Sequence, residues 1–303
     1  MAPEHKLKVL VFLITSGTDY QLEQAAVAER MAAKLNLSLT IEYADSDGVY
    51  QTLQVLKAIQ SAPGLRPDAV VVEPVGTSMV QVAQAAAAAG IGWAILNRDA
   101  DYLTGLRSKS SVPIFGVSTD NEAVGRIQGQ QMNALTPPGG CVLYLEGPTS
   151  SDVSRHRASG MLASKRPDIL LKHLRGGWTE SGAYQAIQSW LQLGTSKVTK
   201  IDVLVSQNDT MAMGARKAFG EITDSAQRQR FLALPFIGCD GVPDKGQAYV
   251  LRGLLKATVI NPPLTGIALE MLAHAMRSHT QPPEQTLVAP QPFPPLERLP
   301  VSN

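Results

Sequence analysis

The chain has 303 residues, 44% hydrophobic and 17% charged, and its 27 Lys and Arg against 26 Asp and Glu give a formal net charge of +1. This composition excludes disorder except at the ends. It also argues against a nucleic acid partner, because such binding needs clustered cations. At about 150 residues per domain, the length predicts two domains.

In the first part of the chain, short apolar strands alternate with helices of about a dozen residues. The predicted strands are 9–14, 37–43, 68–72 and 92–96. The predicted helices are 21–35, 49–60 and 78–89, and Gly90 caps the last of them. This alternation is typical of a parallel sheet with helices on both faces.

The same alternation begins again near residue 140. The predicted strands are 141–145, 169–175, 203–206 and 236–237. The predicted helices are 154–164, 182–193 and 211–219. Two successive open units of similar length predict an α/β fold with two similar, doubly wound parallel-sheet lobes.

Polar and charged residues follow most of the predicted strands, in a chain that is otherwise poor in charge. They are 15–20, Glu73, 97–99, 146–152, 207–209 and 240–241. Because ligands of open parallel sheets bind at the carboxyl ends of the strands, we expect the functional site to be made from these segments.

Four segments carry more specific motifs. Asn97-Arg98 follows the fourth strand, and Ser-Arg-His-Arg at 154–157 opens a helix. The most specific pair is Gln-Asn-Asp-Thr-Met-Ala-Met-Gly-Ala at 207–215 and Ile-Gly-Cys-Asp-Gly-Val-Pro at 237–243. On these motifs, and over essentially its whole length, the chain resembles the type I periplasmic sugar-binding proteins, and is most similar to their ribose-binding-like branch.

The resemblance implies two lobes that are crossed by three chain segments and hold a sugar between them. The first lobe is expected to contain residues 1–119 and 262–287, and the second residues 120–261 and 288–303. The hinges would lie at 119–120, at 261–262 and near 287–290, since a hinge needs only a few residues that absorb backbone rotation.

The resemblance also implies which residues hold the ligand. Trp178, in a loop after two glycines, and Tyr20, in the first strand-end loop, would stack on sugar faces. Arg98 and Arg157 would each hold two hydroxyls with a planar fork. The full expected ligand-binding set is Thr18, Tyr20, Gln21, Glu73, Asn97, Arg98, Arg157, Trp178, Asn208, Asp240 and Asn261, with no catalytic residue, metal ligand or cofactor. The structural alternatives are a core tryptophan, a loop-packing tyrosine and arginines in solvated salt bridges.

Three of these positions depart from the ribose-binding pattern. Gln21 stands where the family commonly has a further aromatic residue, Glu73 where it has asparagine, and Asn97 where it typically has aspartate. These departures argue against ribose itself. The charges of Arg98 and Arg157 cancel those of Glu73 and Asp240, and an unpaired buried charge is costly. We therefore expect a neutral ligand: a pentose, hexose, alditol or cyclitol.

Other function classes have weaker support. The five histidines lack metalloprotease spacing, and no nucleophile elbow, Walker A or dinucleotide-binding fingerprint occurs. Cys141 and Cys239 have no metal-ligand spacing, and we expect buried thiols. The stronger alternative is a sugar-sensing module that signals to a membrane kinase or a transcriptional regulator. A repressor would need a DNA-binding segment before the first strand, where only residues 1–8 stand.

The sequence thus predicts a monomeric receptor, not an enzyme, that delivers a small neutral sugar or polyol to a membrane permease of the ABC type. We expect a periplasmic or other extracytoplasmic location. The first residues resemble a signal peptide but lack a small-residue cleavage site, so the apolar run at 9–14 is interpreted as a strand and any signal peptide as absent from this sequence.

Overall fold

The computed structural model describes residues 6–76, 79–194, 196 and 199–299. The chain divides into two compact units, Met1–Thr119 with Pro263–Val288 and Asp120–Pro262 with Ala289–Asn303. The expected boundary after residue 119 coincides with the first of these, and the other two expected boundaries lie one residue earlier. That the units act as the lobes of a hinged receptor stays a prediction.

The first unit contains a six-stranded parallel sheet. Numbered along the chain, its strands are β1 (Lys8–Leu13), β2 (Ser38–Tyr43), β3 (Ala69–Val72), β4 (Gly92–Leu96), β5 (Ile114–Thr119) and β11 (Gln285–Val288). They lie in the order β11-β5-β4-β3-β1-β2. The helices are α1 (Asp19–Lys34), α2 (Gly48–Ile59), α3 (Val80–Ala88), α4 (Tyr102–Arg107) and α11 (Leu264–Ser278).

Both faces of this sheet are buried. Successive side chains of a strand point to opposite faces, so Val11 packs in one core with residues of α1 and α11 such as Ala28 and Leu269. Phe12 packs in the other, with residues of α2 and α3 such as Val55. This burial on both sides explains why the inner strands β1, β3 and β4 appear in the sequence as continuous apolar runs, whereas the edge strand β2 alternates.

The second unit contains a four-stranded parallel sheet. Its strands are β6 (Cys141–Glu146), β7 (Leu170–Arg175), β8 (Val203–Ser206) and β9 (Phe236–Ile237), in the order β7-β6-β8-β9. β10 (Thr258–Ile260) and β12 (Gln291–Phe293) form an antiparallel pair. The helices are α5 (Asn121–Leu135), α6 (Asp152–Ser164), α7 (Glu180–Gln192), α8 (Asp209–Gly220), α9 (Ser225–Leu232) and α10 (Ala248–Leu251), the last directly after a π-helical turn at Pro243–Gln247.

A close helix contact positions α6 in this unit. A Cβ atom added at Gly160 would lie 2.0 Å from the carbonyl oxygen of Glu122, so the two backbones touch where α6 crosses the start of α5. The contact brings Arg157, one turn earlier on α6, within hydrogen-bonding distance of Asn121. Packing of glycine against backbone therefore sets where this arginine lies.

The predicted α/β fold with parallel sheets is confirmed, with shifts of one to two residues at most ends. The expected first residue of the alanine-rich helix, Ser78, lies outside the described residues. The sequence pattern predicts no element at strands β5, β10, β11 and β12 or at helices α4, α5, α9, α10 and α11. No helix in the described parts of the chain is both long and apolar enough to cross a membrane.

Candidate functional site

The strand order reverses once in each sheet, between β1 and β3 in the first unit and between β6 and β8 in the second. In open parallel sheets, ligands bind at the carboxyl ends of the strands beside such a reversal. Glu73 directly follows β3, and Asn208 lies two residues after β8. Most of the expected residues form two groups at these positions, one in each unit.

The first group, the Glu73 cluster, consists of Gln21, Glu73, Asn97 and Arg98. The carboxylate of Glu73 is buried and accepts two hydrogen bonds: Gln21 Nε2 donates to Oε2 at 2.9 Å, and Asn97 Nδ2 donates to Oε1 at 3.2 Å. Three of the expected residues are thus in direct contact, with the carboxylate between two amides.

Arg98 holds the loop that follows β3. Its guanidinium donates to three backbone carbonyls: Nε to Gly76 at 2.9 Å, and the two terminal nitrogens to Asn97 at 2.6 Å and Pro74 at 2.7 Å. These bonds order the backbone beside Glu73. The expected contact between the Arg98 fork and ligand hydroxyls stays a prediction.

Tyr20 lies in the first turn of α1, because this helix begins at Asp19 rather than at residue 21. The expectation of a tyrosine in the strand-end loop was wrong. Tyr20 is 9% exposed, and its hydroxyl accepts from Gln24 Nε2 at 3.3 Å. Thr18 is the N-cap residue of α1, but its side chain makes no capping hydrogen bond. Both therefore lie beside Gln21, at the same end of the helix.

The second group, the Arg157 cluster, consists of Arg157, Trp178, Asn208, Asp240 and Asn261. The terminal nitrogen of Arg157 lies 3.6 Å from Asp240 Oδ1, and both side chains are almost completely buried. Arg157 also donates to the side chain of Asn121 at 3.1 Å and to the backbone carbonyl of Gln207. The guanidinium is therefore held in one orientation by a carboxylate, an amide and a carbonyl.

Asn261 contributes an acceptor that the protein does not use. Its Nδ2 donates to Asp240 Oδ1 at 3.0 Å and contacts the sulfur of Cys239 at 3.2 Å. Its Oδ1 is buried and has no hydrogen-bond partner among the described residues. A buried carbonyl oxygen without a partner costs about 1–3 kcal/mol, so this position favours a ligand that donates a hydrogen bond.

Trp178 lies in the loop between β7 and α7, as expected, and its backbone has a φ of +70°. Its indole contacts Gly147 so closely that a Cβ atom there would lie 2.3 Å from the ring. The guanidinium of Arg157 lies 5.6 Å from the ring centre. Asn208 supports the loop, because its Nδ2 donates to the carbonyl of Trp178 at 3.0 Å while its Oδ1 caps α8.

Three expected residues share an uncommon backbone conformation. The φ angles of Asn97, Trp178 and Asp240 are +52°, +70° and +101°. Residues other than glycine rarely adopt such angles, and they cluster at functional sites because the strain must be offset by surrounding contacts. Positive φ angles also occur outside the clusters, at Asn36, Asp45, Ser46 and His279, so they show constrained backbone at these three residues without singling out the clusters.

Sequence reasoning missed two residues that support Arg157. The side chain of Gln207 is buried: its oxygen accepts from the Gly147 backbone N–H at 2.8 Å, and its nitrogen donates to the Tyr144 hydroxyl at 2.8 Å. Gln207 lay within a strand-end segment, which was a usable signal. Asn121 had no signal beyond its place next to an expected hinge.

Asp209 explains why the two most specific motifs occur together. Its carboxylate accepts from the Gly241 backbone N–H at 2.8 Å and from the Thr258 hydroxyl at 2.7 Å. A Cβ atom at Gly238 or Gly246 would lie 2.0 Å from one of its carboxylate oxygens. The aspartate of the first motif is thus enclosed by the glycines of the second, which places Asp240 beside α8.

The thiols and phenols near the Arg157 cluster are held in their neutral forms. Burial raises the pKa of Cys239 from 9.0 to about 12, although the charge of Arg157 acts in the opposite direction. Burial likewise raises the pKa of Tyr144. Within the described ranges, there is no group of three or more His, Cys, Asp or Glu side chains that could hold a metal ion.

Comparison with known proteins identifies the family. Residues 9–278 match the periplasmic binding protein domain family. Among curated proteins, a D-apiose import binding protein of Actinobacillus succinogenes is 22% identical over 259 residues, which are 84% of this chain and 76% of that protein. A xylitol-binding protein of Mycolicibacterium smegmatis is 28% identical over 131 residues, 42% of this chain but only 35% of that protein.

Two solved structures have the same fold. A periplasmic solute-binding protein of an ABC transporter from Actinobacillus succinogenes, with bound D-allose, has a TM-score of 0.79 at 22% identity, over 95% of this chain and 97% of that one. The fructose-binding periplasmic domain of a hybrid two-component system has a TM-score of 0.76 at 21% identity, over 94% of this chain and 90% of that one. The chain therefore belongs to the periplasmic binding protein family, in the type I, ribose-binding-like form that its motifs predicted.

Proposed function

We propose that the protein is a solute receptor that binds a small neutral carbohydrate or polyol and delivers it to an ABC-type membrane permease. The ligand would stabilise the form that the permease recognises by its greater affinity for that form, which is the only way that a ligand can shift a conformational equilibrium.

The observation that carries the proposal is the Arg157 cluster. It combines a buried fork, a carboxylate 3.6 Å away and the unpartnered amide oxygen of Asn261. An indole lies beside them. A sugar presents vicinal hydroxyls that both donate and accept, together with flat apolar faces, so it satisfies all four groups.

The charges support a neutral ligand. Within the Arg157 cluster the positive charge of Arg157 is paired with Asp240. In the other unit the single charges of Arg98 and Glu73 are of opposite sign. A carboxylate or phosphate ligand would bring an additional buried charge without a partner, which is costly.

The relatives point to the same ligand class. Their names specify xylitol and D-apiose, and one structural neighbour contains D-allose. The first is an alditol and the others are aldoses, all neutral. We infer from this a pentose, hexose, alditol or cyclitol as the ligand of this chain. We also infer an extracytoplasmic location and a monomeric state. We infer no catalytic activity, since the polar side chains of both clusters have hydrogen-bonding roles.

A sensory role is the second candidate. It is supported by the likeness to the fructose-binding domain of a two-component system. Both roles need the same ligand site and differ in the membrane protein that recognises the bound form, so a ligand test applies to both.

A thermal-shift panel tests the proposal. The probes are xylitol, D-apiose, D-allose and myo-inositol, with an amino acid and a nucleotide as controls. A ligand at 100 times its Kd adds about 2.7 kcal/mol to the free energy of unfolding, which corresponds to a rise in Tm of several degrees, at about 2–4 °C per kcal/mol. A shift with the amino acid or the nucleotide, and with no sugar or polyol, would contradict the assignment.

A further inference from the structure

Gln21, Glu73 and Asn97 are joined by a chain of hydrogen bonds that follows the order of the sheet. The backbone N–H of Ile14, after β1, donates to Gln21 Oε1 at 3.0 Å, and Gln21 donates to Glu73. From the other side, the backbone N–H of Thr119, at the end of β5, donates to Asn97 Oδ1 at 3.3 Å, and Asn97 donates to Glu73. Two series of donors therefore converge on one carboxylate.

The direction of this chain is set by the backbone. An N–H group can only donate, so each amide oxygen must face its backbone donor, at Ile14 or Thr119, and each NH2 group must face Glu73. Position 73 is thus required to accept from both sides. An ionised carboxylate only accepts hydrogen bonds. An amide side chain at position 73 would instead place its own NH2 group against the NH2 group of Gln21 or of Asn97.

These are also the three positions that depart from the ribose-binding pattern. The carboxylate expected at 97 stands at 73, and the amide expected at 73 stands at 97. Since the three side chains are in contact, their departures belong to one arrangement rather than to three separate changes.

We propose that Gln21, Glu73 and Asn97 form one specificity-determining unit, in which the Glu73 carboxylate accepts hydrogen bonds from ligand hydroxyls and excludes ligands with an anionic group at that position. This inference rests on the proposed function and names the ligand chemistry at one end of the site.

The acceptor capacity of Glu73 supports this role. A carboxylate has about four lone-pair positions, and the two amides occupy two of them. Within the described ranges, Glu73 takes part in no ion pair. The remaining positions therefore favour hydroxyl donors. The guanidinium of Arg98 donates to three backbone carbonyls and forms no ion pair with Glu73 in the described ranges, so a ligand carboxylate or phosphate there would be repelled by the like charge of Glu73.

A stability cycle without ligand tests whether the three side chains act together. Glu73→Gln places an NH2 group against one of the two amide donors, and Asn97→Asp places two buried carboxylates side by side, so each should lower Tm by about 2–8 °C. In the double variant the amide at 73 accepts from Gln21 and donates to the new carboxylate at 97. Its Tm should return to within about 2 °C of wild type.

The exposed carboxylate of Glu29, on the same unit, provides the matched control. Glu29→Gln also removes one negative charge and should leave Tm unchanged. If the Tm shifts of Glu73→Gln and Asn97→Asp simply add in the double variant, the side chains do not form a unit and the proposal is overturned.

Titration of neutral probes beside anionic counterparts tests the ligand assignment. The pairs are xylitol with xylonate, D-galactose with D-galacturonate, and myo-inositol with its monophosphate. For each pair whose neutral member binds, the wild type should bind the anion at least about tenfold more weakly, and Glu73→Gln should narrow that ratio. Equal affinities in the wild type, or an unchanged ratio in the variant, would overturn the assignment.

The two proposals fail in different ways. If no probe binds, the proposed function fails and the ligand assignment fails with it, but the stability cycle still shows whether the three side chains are coupled. If neutral probes bind without discrimination against anions, the proposed function stands and the inference about Glu73 is wrong.

Discussion

Arg157 and Asp240 form a buried ion pair in the second unit, with 3.6 Å between a guanidinium nitrogen and a carboxylate oxygen. The arginine also bonds to Asn121 and Gln207, and the aspartate accepts from Asn261. Such a pair is weak support for stability by itself, because desolvation offsets much of the attraction. The further hydrogen-bonding groups around the pair hold both side chains in place, and this arrangement suits a role in ligand recognition better than a role in stability.

Replacing Arg157 should weaken ligand binding and lower stability. A hydrogen bond to a charged group contributes about 1.5–3 kcal/mol, so Arg157→Ala should raise Kd by about tenfold or more. It also leaves Asp240 buried without its cation and should reduce the free energy of unfolding by about 3 kcal/mol. Calorimetric titration and denaturant unfolding measure the two effects.

Two variants on the same helix sharpen this test. Arg157→Lys keeps the charge but not the planar fork, so stability should largely recover while the affinity stays low. Arg155 pairs with Asp152, and its side chain is 55% exposed. Arg155→Ala should therefore leave Kd unchanged. Equal affinity losses in the alanine variants at 155 and 157 would contradict the assigned role of Arg157.

Trp178 packs against the core of the second unit, and its ring should also contribute to ligand binding. We expect Trp178→Ala to weaken binding by about tenfold and Trp178→Phe to restore part of the affinity, because an aromatic face remains. Intrinsic fluorescence should change when ligand is added to the wild type. Trp93, fully buried in the first unit, supplies the control. Trp93→Phe should keep the ligand-dependent fluorescence change, and its loss there but not in Trp178→Phe would contradict the prediction.

The glycine enclosure of Asp209 should be sensitive to a single methyl group. A Cβ atom at Gly246 would lie 2.0 Å from the carboxylate, so Gly246→Ala should lower the free energy of unfolding by about 1–3 kcal/mol. At Gly105, in α4, a Cβ atom would have no neighbour within 4 Å, and Gly105→Ala should be neutral or stabilising by up to about 1 kcal/mol. Urea unfolding compares the two, and equal values would argue against a tightly enclosed Asp209.

Cys239 should make the free energy of unfolding fall as the pH rises in the alkaline range. The pKa of Cys239 is raised from 9.0 to about 12 in the folded protein. Between these two pH values the thiol is therefore protonated in the folded protein but ionised in the unfolded chain. The stabilisation is complete below pH 9 and is lost as the pH rises towards 12. Between these values one such group contributes a slope of about 1.4 kcal/mol per pH unit.

Cys239→Ala should therefore flatten the dependence of the free energy of unfolding on pH above 9. Cys141→Ala is the matched control. Burial raises the pKa of Cys141 as well, but Cys141 is less deeply buried than Cys239, so this variant should keep the pH dependence that Cys239 causes. In the native state both thiols should react slowly with an alkylating reagent, since both are buried. A wild-type slope that matches that of Cys239→Ala would show that the thiol is not protected.

Strands β6 and β8 were predictable because burial on both sheet faces gives continuous apolar runs. Strand β5 was missed although every residue in it is buried, because Gly116, Ser118 and Thr119 interrupt its apolar run.

Helix α5 was not predicted, because buried glutamines and glycines interrupt the apolar positions Val124, Met132 and Leu135 on its inner face. Gln128 is fully buried and donates to the backbone carbonyls of Ser206 and Gly238. Apolar periodicity cannot reveal a helix whose inner face consists partly of amides.

The site was predictable as a set of strand ends but not as a network. The rule that ligands bind at carboxyl ends located Glu73, Asn97 and Asn208 from their positions alone. That Glu73 accepts from both Gln21 and Asn97 depends on strand order and side-chain rotamers, which the spacing of residues does not encode. The position of Tyr20 was wrong because α1 begins two residues earlier than its apolar pattern indicated.

Isothermal titration of the purified protein with xylitol, D-apiose and D-allose is the direct test of whether it is a receptor for a neutral carbohydrate or polyol. At least one of these neutral compounds should bind at a single site per chain, and Arg157→Ala should weaken this binding while Arg155→Ala should not. Absence of heat with every neutral compound, alongside saturable binding of an amino acid or a nucleotide, would contradict this function.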